Sequence, residues 1–215
     1  MKQFLLGLAV AFGLCAPAFA QVSEVRVGAN IHDIDWTGLG SGSDKERSVA
    51  INAEIIFEEP EFLRWALTPQ PYVGGAVNLE GETSYGGAGL LWRQTFGEGL
   101  FFDYQFGLVV HNGTLEAQPS SLLQSVIDGR NPNTFSTPEQ QQFAADLAEF
   151  RFRQQNEIDF GSRILFQNQF SLGYRFSEKW SASIFANHLS HGKILAPNAP
   201  NEGLDTIGFR LGHHF

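Results

Sequence analysis

The chain has 215 residues, enough for one domain or one small barrel. Its 14 Lys and Arg are outnumbered by 23 Asp and Glu, an acidic balance that argues against nucleic acid as a partner. It does not exclude an anionic lipid, because local charge at a binding site differs from the sum. The one cysteine, Cys15, falls in a leader, so the processed chain has no disulfide, no cysteine-ligated metal and no thiol nucleophile.

Residues 1–20 have the pattern of a secretory signal peptide: Lys2, an apolar run Phe4–Leu14, then Ala18-Phe19-Ala20 before Gln21. Lipid attachment at Cys15 is disfavoured, since Leu14 stands where such signals need a small residue. Removing the leader takes Lys2 and no acid, leaving 13 basic against 23 acidic residues, a net of −10. No later apolar run approaches the ~20 residues of a membrane helix. An exported chain crosses a membrane without one only as a closed barrel.

The remaining chain alternates in segments. Val22–Ile34 puts Val25, Val27, Ala29 and Ile31 on one face. After a Gly/Ser/Asp loop at Asp35–Glu46, Ser48–Glu58 alternates again. Glu59–Thr68 is a connection with Pro60 and Trp65. Gln70–Leu79 is thinned by Gly74 and Gly75. Thr83–Phe96 carries Ala88, Leu90 and Trp92 on one side and Arg93 on the other; its cluster Gly86, Gly87 and Gly89 thins a strand and does not open a helix as a nucleotide loop would. Leu100–Asn112 is the clearest strand, with Phe102, Tyr104, Phe106 and Leu108 opposite Asp103 and Gln105. Gly113–Asp159 breaks the pattern. There, Thr137-Pro138-Glu139 reads as a capping hydroxyl followed by a first-turn proline, opening a helix over Gln140–Arg153. Ser120–Ile127 is a second short helix. Phe160–Phe176 alternates, imperfectly at Leu165 and Asn168, and Ser177–Lys179 turns the chain into a final hairpin of Trp180–His191 and Leu204–Phe215.

Eight strands alternate equally well in a soluble sandwich. Three features favour an eight-stranded antiparallel transmembrane β-barrel, all-β apart from one long, partly helical extracellular loop. The large residues share the apolar faces while Arg, Asp, Gln and Glu share the other; aromatics fall near strand ends; and the chain ends on Phe215. With both termini periplasmic, the outside loops are 35–46, 80–82, 113–159 and 192–203, and the periplasmic turns are 59–68, 97–99 and 177–179. An eight-stranded barrel is filled by side chains. Glu24, Arg26, Glu54, Arg93, Asp103, Arg163, Arg175 and Arg210 are therefore expected to pair inside it, and transport is not expected.

The chemistry concentrates in the last hairpin. His188 and Ser190, two apart, share the face of Trp180, Ala182, Ile184 and Ala186, the lipid side. A polar pair there is costly unless used. Closing the hairpin is expected to bring Glu202 back beside His188, giving a hydroxyl, a base and an acid. These residues carry a resemblance. H-x-S at 188–190, Pro197-Asn198 and N-E-G-L-D at 201–205 resemble the PagL-type lipid A 3-O-deacylases, eight-stranded outer-membrane barrels that hydrolyse an ester-linked acyl chain of lipopolysaccharide. The close match covers the final hairpin, and the central insertion is longer here. The resemblance implies an outer-membrane serine esterase acting on lipid A through Ser190, His188 and Glu202, with no cofactor. It supplies Asn198 as an oxyanion donor. The backbone N–H of Gly192 is a further donor, and Lys193 is either a contact to a lipid A phosphate or a solvated lysine.

His191 stands where the family often has Asn; as a loop histidine it is expected to be neither base nor phosphate contact. Asn187 and Asp205 read as lumen-facing or turn residues. His213 and His214 read as rim residues, since adjacent strand residues face opposite ways. The partners expected are lipopolysaccharide and outer-membrane lipid, a homodimer being one compatible assembly. The competing readings are a non-enzymatic structural or adhesion barrel and an esterase acting on phospholipid.

Overall fold

A computed structural model describes residues 21–34 and 44–215. The leader and its cleavage position, and residues 35–43 of the first outside loop, lie outside the described residues. Eight strands follow one another around a closed ring: β1 (Val22–His32), β2 (Val49–Phe57), β3 (Gln70–Asn78), β4 (Tyr85–Phe96), β5 (Leu100–His111), β6 (Ile164–Arg175), β7 (Trp180–Ser190) and β8 (Leu204–His214). Every neighbour is antiparallel, and β8 pairs back onto β1. Closure leaves no sheet edge, the condition for crossing a bilayer with strands.

The expected strand limits hold to within a few residues, with β6 the largest departure. It begins at Ile164 rather than Phe160, because the N–H groups of Phe160 and Gly161 donate to the carbonyls of Thr114 and Leu115 in the loop before it. That diverts Ile158 and Phe160 into a buried apolar cap with Leu165, Leu189 and Leu204. The loop holds α1 (Ser121–Ile127) and α2 (Thr137–Asn156). The cap of α2 is Ser136, one residue before the expected Thr137: the Ser136 N–H and hydroxyl both donate to the Glu139 carboxylate at 2.9 Å.

The wall is inverted relative to a soluble barrel. Outward positions such as Val27, Ile51, Phe102, Leu172 and Phe209 are large, apolar and exposed. Inward positions are polar and buried. Near the short-turn end Arg26 donates to Glu24 at 2.9 Å and to Asp103 at 2.6 Å, and Arg93 bridges the same two carboxylates at 3.0 and 2.8 Å. Higher up, Arg210 faces Glu54 at 2.9 Å and lies over the Phe185 ring. Three guanidiniums thus meet three carboxylates, and burial without partners would be prohibitive. Six of the eight expected interior charges belong to this set. Arg163 and Arg175 do not. Both are exposed near opposite strand ends, where Arg163 donates to the carbonyls of His111 and Gly113 and Arg175 meets His214.

Candidate active site

Strand pairing builds the site on the outer wall. On β7 the outward positions are Trp180, Ala182, Ile184, Ala186, His188 and Ser190, while Ser181, Ser183, Phe185, Asn187 and Leu189 are buried inward. The β6–β7 register sets Asn168 opposite His188 and Phe166 opposite Ser190. The β7–β8 register sets Asp205 opposite His188. Asn168, His188 and Asp205 therefore form one row across three adjacent strands, with Ser190 one step toward the long-loop end. The surrounding outward positions are apolar: Ile164, Phe166, Phe170, Ala186, Ile207 and Phe209.

The hydrogen bonds follow the row. His188 Nδ1 lies 2.6 Å from Asp205 Oδ1, and His188 Nε2 lies 3.1 Å from Ser190 Oγ. A carboxylate only accepts, so the Nδ1 proton is on the Asp205 side and the Nε2 lone pair faces the Ser190 hydroxyl. Asp205 is fully buried and His188 largely so, which shields the pair from water. A serine hydroxyl, an imidazole and a carboxylate in hydrogen-bonded series is the arrangement that activates a serine for acyl transfer.

The carboxylate beside His188 differs from the one expected. Glu202 does not reach His188. Its carboxylate takes Lys45 Nζ at 2.6 and 2.7 Å and the N–H of Asp159 at 2.9 Å, and its own N–H donates to the Asp159 carbonyl. Pairing with β7 stops at Leu204, so residue 202 belongs to a loop that crosses to the β5–β6 loop. Asp205, read from sequence as lumen-facing or turn, is instead on the outward side with Ile207 and Phe209. Asn187 does face inward, bonded to Tyr85 and Gln167.

The other expected residues lie on the loop at 191–203. His191 is buried; its Nε2 reaches the Pro200 carbonyl at 2.6 Å and its Nδ1 accepts the Lys193 N–H, so it braces the loop. Gly192 and Lys193 adopt left-handed backbone, φ 59° and 58°, and turn the chain sharply just past Ser190. The Gly192 N–H has no partner among the described residues. The Lys193 ammonium is exposed and donates to the Ala199 carbonyl. Asn198 is exposed, and no hydrogen bond ties it to Ser190 or His188. His213 points outward between the Trp180 and Phe215 rings, whereas His214 points inward to Ser181.

Two site residues escaped the sequence reading. Asp205 needed the strand register. Asn168 registered only as an imperfection in the alternation, yet a polar residue on an apolar face was itself the signal. Tyr104 Oη donates to Asn168 Oδ1 at 3.1 Å from the β5 side. The amide nitrogen therefore turns away from β5.

A further network lies at the long-loop end. The long-loop end is clasped by Glu46, whose carboxylate accepts the N–H groups of Thr83 and Ile158; burial pushes that carboxyl above its usual range. Among the described residues no three His, Asp or Glu side chains gather as metal donors. A cleft of about 640 Å³ opens at the opposite end beside Arg93, Phe101 and Tyr174, well away from Ser190.

The profile of the lipid A 3-O-deacylase (PagL) family matches residues 64–214. The chain belongs to this family. It is accordingly a bacterial outer-membrane β-barrel of a lipid A deacylase family, a class of ester hydrolases. The crystal structure of the outer membrane enzyme PagL superposes with a TM-score of 0.53 at 11% identity, covering 88% of this chain and 98% of that one, and so shares the fold. Neisserial surface protein A gives a TM-score of 0.45 at 8% identity over 89% of this chain and 96% of its own. A de novo designed transmembrane β-barrel gives 0.46 at 8% identity over 93% and 100%. No curated protein matches the sequence.

Proposed function

We propose that this lipid A deacylase is a serine esterase whose nucleophile is Ser190, whose base is His188 and whose orienting acid is Asp205. The observation that carries the reading is the series Asp205–His188–Ser190 on the lipid-facing wall near the long-loop end of β7. Long loops mark the extracellular end of outer-membrane barrels, so this level meets the lipopolysaccharide leaflet.

The chemistry follows from the positions. An acyl chain lies along the outward apolar track of Phe166 and Phe106, whose rings stack at 5.9 Å, and brings its 3-O-ester carbonyl to Ser190. Ser190 Oγ attacks the carbonyl carbon as His188 Nε2 takes its proton, and Asp205 stabilises the resulting imidazolium. The oxyanion receives the Gly192 N–H, two residues past the nucleophile, and the Asn168 amide, aimed by Tyr104. Asn198 is the donor implied by the family spacing and is tested beside them. Each such donor contributes on the order of 10²–10³ in rate. The intermediate collapses, and the departing 3-oxygen of lipid A takes the proton from His188. Water then attacks the acyl-Ser190 ester with His188 again as base, releasing a fatty acid and restoring the hydroxyl.

Mass spectra of lipid A from cells producing the protein test this reading. One 3-linked hydroxyacyl chain should be lost, and Ser190→Ala should abolish the loss. Unchanged lipid A with a folded barrel would favour a non-enzymatic role. Fatty acid released from phospholipid but not from lipopolysaccharide would move the substrate.

A further inference from the structure

The turn between β2 and β3 is unlike the other two at its end of the barrel. β4 connects to β5, and β6 to β7, through a few residues, whereas β2 reaches β3 only after residues 58–69. Within them Glu61–Ala66 forms a 3-10 helix with no buried residue. Phe62, Trp65 and Leu67 are 75%, 83% and 82% exposed, among the most exposed large apolar side chains described. A soluble turn of this length would place polar residues there.

The geometry says where this segment lies. β3 starts at Gln70, opposite Leu91, while β4 and β5 run on together to Phe96 and Leu100. Beyond Gln70 the wall of β4 has no strand neighbour on that side. The 3-10 segment occupies this position: the Trp92 indole N–H donates to the Ala66 carbonyl at 2.9 Å. Trp92 belongs to the outward aromatic face, stacked on Tyr104, which stacks on Phe170. Trp92 is four residues short of the end of β4, about 14 Å at strand rise. The segment therefore lies against the lipid-facing wall and does not hang below the barrel. Two successive residues, Leu67 (φ 66°) and Thr68 (φ 52°), take left-handed backbone that non-glycine residues seldom adopt, folding the chain back into β3.

The aromatic girdle at this end is uneven. Phe96, Tyr174, Phe176, Trp180 and Phe215 supply it on the β4–β8 side, all exposed. The corresponding ends of β1, β2 and β3 offer Val22, Phe57 and Gln70. We propose that the β2–β3 connection is an interfacial foot: Phe62, Trp65 and Leu67 insert among the phospholipids of the periplasmic leaflet and complete the girdle where the strands supply only Phe57. Glu61 and Arg64, paired at 3.4 Å and exposed, remain at headgroup level. Aromatic side chains with an apolar body and a polar tip suit this layer. The foot is independent of the catalytic reading, since it lies at the other end of the barrel.

Spin labelling tests it, because the processed chain has no cysteine. Nitroxides at Phe62→Cys and Trp65→Cys, in vesicles of phosphatidylethanolamine and phosphatidylglycerol, should collide with oxygen in preference to a water-soluble nickel chelate. The collision ratio should place them ~5–10 Å into the headgroup and acyl boundary. A label at Glu98→Cys, in the β4–β5 turn, should show the opposite preference, and adding Trp92→Phe should move the Trp65 label toward water. Nickel-dominated collisions at 62 and 65, as at 98, would overturn the proposal. So would low collision with both reagents, which marks a protein partner or a second copy. If the cysteine variants fail to fold, the emission lost in Trp65→Phe gives the same answer: blue-shifted and quenched by brominated lipid if the foot inserts, red and iodide-quenched if it does not.

Discussion

The barrel holds two polar clusters with opposite logic. Inside, Arg26, Arg93 and Arg210 meet Glu24, Asp103 and Glu54 in a closed, charge-balanced set. Outside, Asn168, His188, Asp205 and Ser190 interrupt an apolar wall with one carboxylate, one imidazole, one hydroxyl and one amide whose nitrogen has no hydrogen-bond partner in the row. The interior set fills the lumen with side chains, and its members pair with one another and with Asn52, Gln105, Gln169 and Ser181 around them. The exterior row stands where polar groups are expensive, and its series of bonds ends at a hydroxyl facing the lipid. A polar cluster that closes on itself holds structure; one whose bonds end at a hydroxyl on the lipid face is the one proposed for chemistry.

Substitution separates the two. Ser190→Ala or His188→Ala should lower deacylation by at least ~10⁴, while the heat-modifiable gel mobility of the folded barrel stays as in the parent. Asp205→Asn should cost a comparable ~10⁴ by removing the acceptor that fixes the His188 tautomer. Glu202→Gln should cost less than about tenfold, since its partners are Lys45 and the Asp159 N–H. Asp103→Leu should do the reverse of Ser190→Ala. It leaves three buried guanidiniums to two carboxylates, so urea unfolding in lipid should show a loss of ~3–5 kcal/mol, with turnover per folded molecule retained.

Finer changes sharpen the contrast within the outer row. Asn168→Ala should reduce kcat by roughly 10²–10³ with little change in KM. Tyr104→Phe, which only frees the Asn168 amide to rotate, should cost about fivefold, the equivalent of ~1 kcal/mol for one hydrogen bond. Comparing Asn198→Ala with Asn168→Ala ranks the two side-chain donors. The smallest effect lies in the outer loop. The Ser136 N–H and hydroxyl and Arg130 hold the Glu139 carboxyl down to about 2 from an ordinary 4.5. The cap is thus intact above pH 4.5 and lost as pH falls toward 2, and circular dichroism should show the α2 helix signal fading over that window.

Much of this is legible in the sequence. Period-two alternation marked all eight strands, because a bilayer wall sorts large apolar from polar side chains as sharply as a core does. His188 and Ser190 could be placed on the lipid face for the same reason. Asp205 could not. Hairpin closure suggests that Glu202 returns to His188, but the loop at 191–203 folds across to Asp159 and Lys45, and only the β7–β8 register shows which residue lies opposite the imidazole. The short strand start at Ile164 was hidden likewise, since the N–H groups of Phe160 and Gly161 go to a loop distant in sequence. Local pattern encodes faces; it does not encode what two loops do when they meet.

A phosphonate ester that mimics the tetrahedral intermediate tests the active site most directly. Intact-mass and peptide analysis should find one adduct, on Ser190, forming at full rate in Glu202→Gln and collapsing in Asp205→Asn and His188→Ala. An adduct on another residue, or labelling that survives in Asp205→Asn and fails in Glu202→Gln, would contradict the Asp205–His188–Ser190 series.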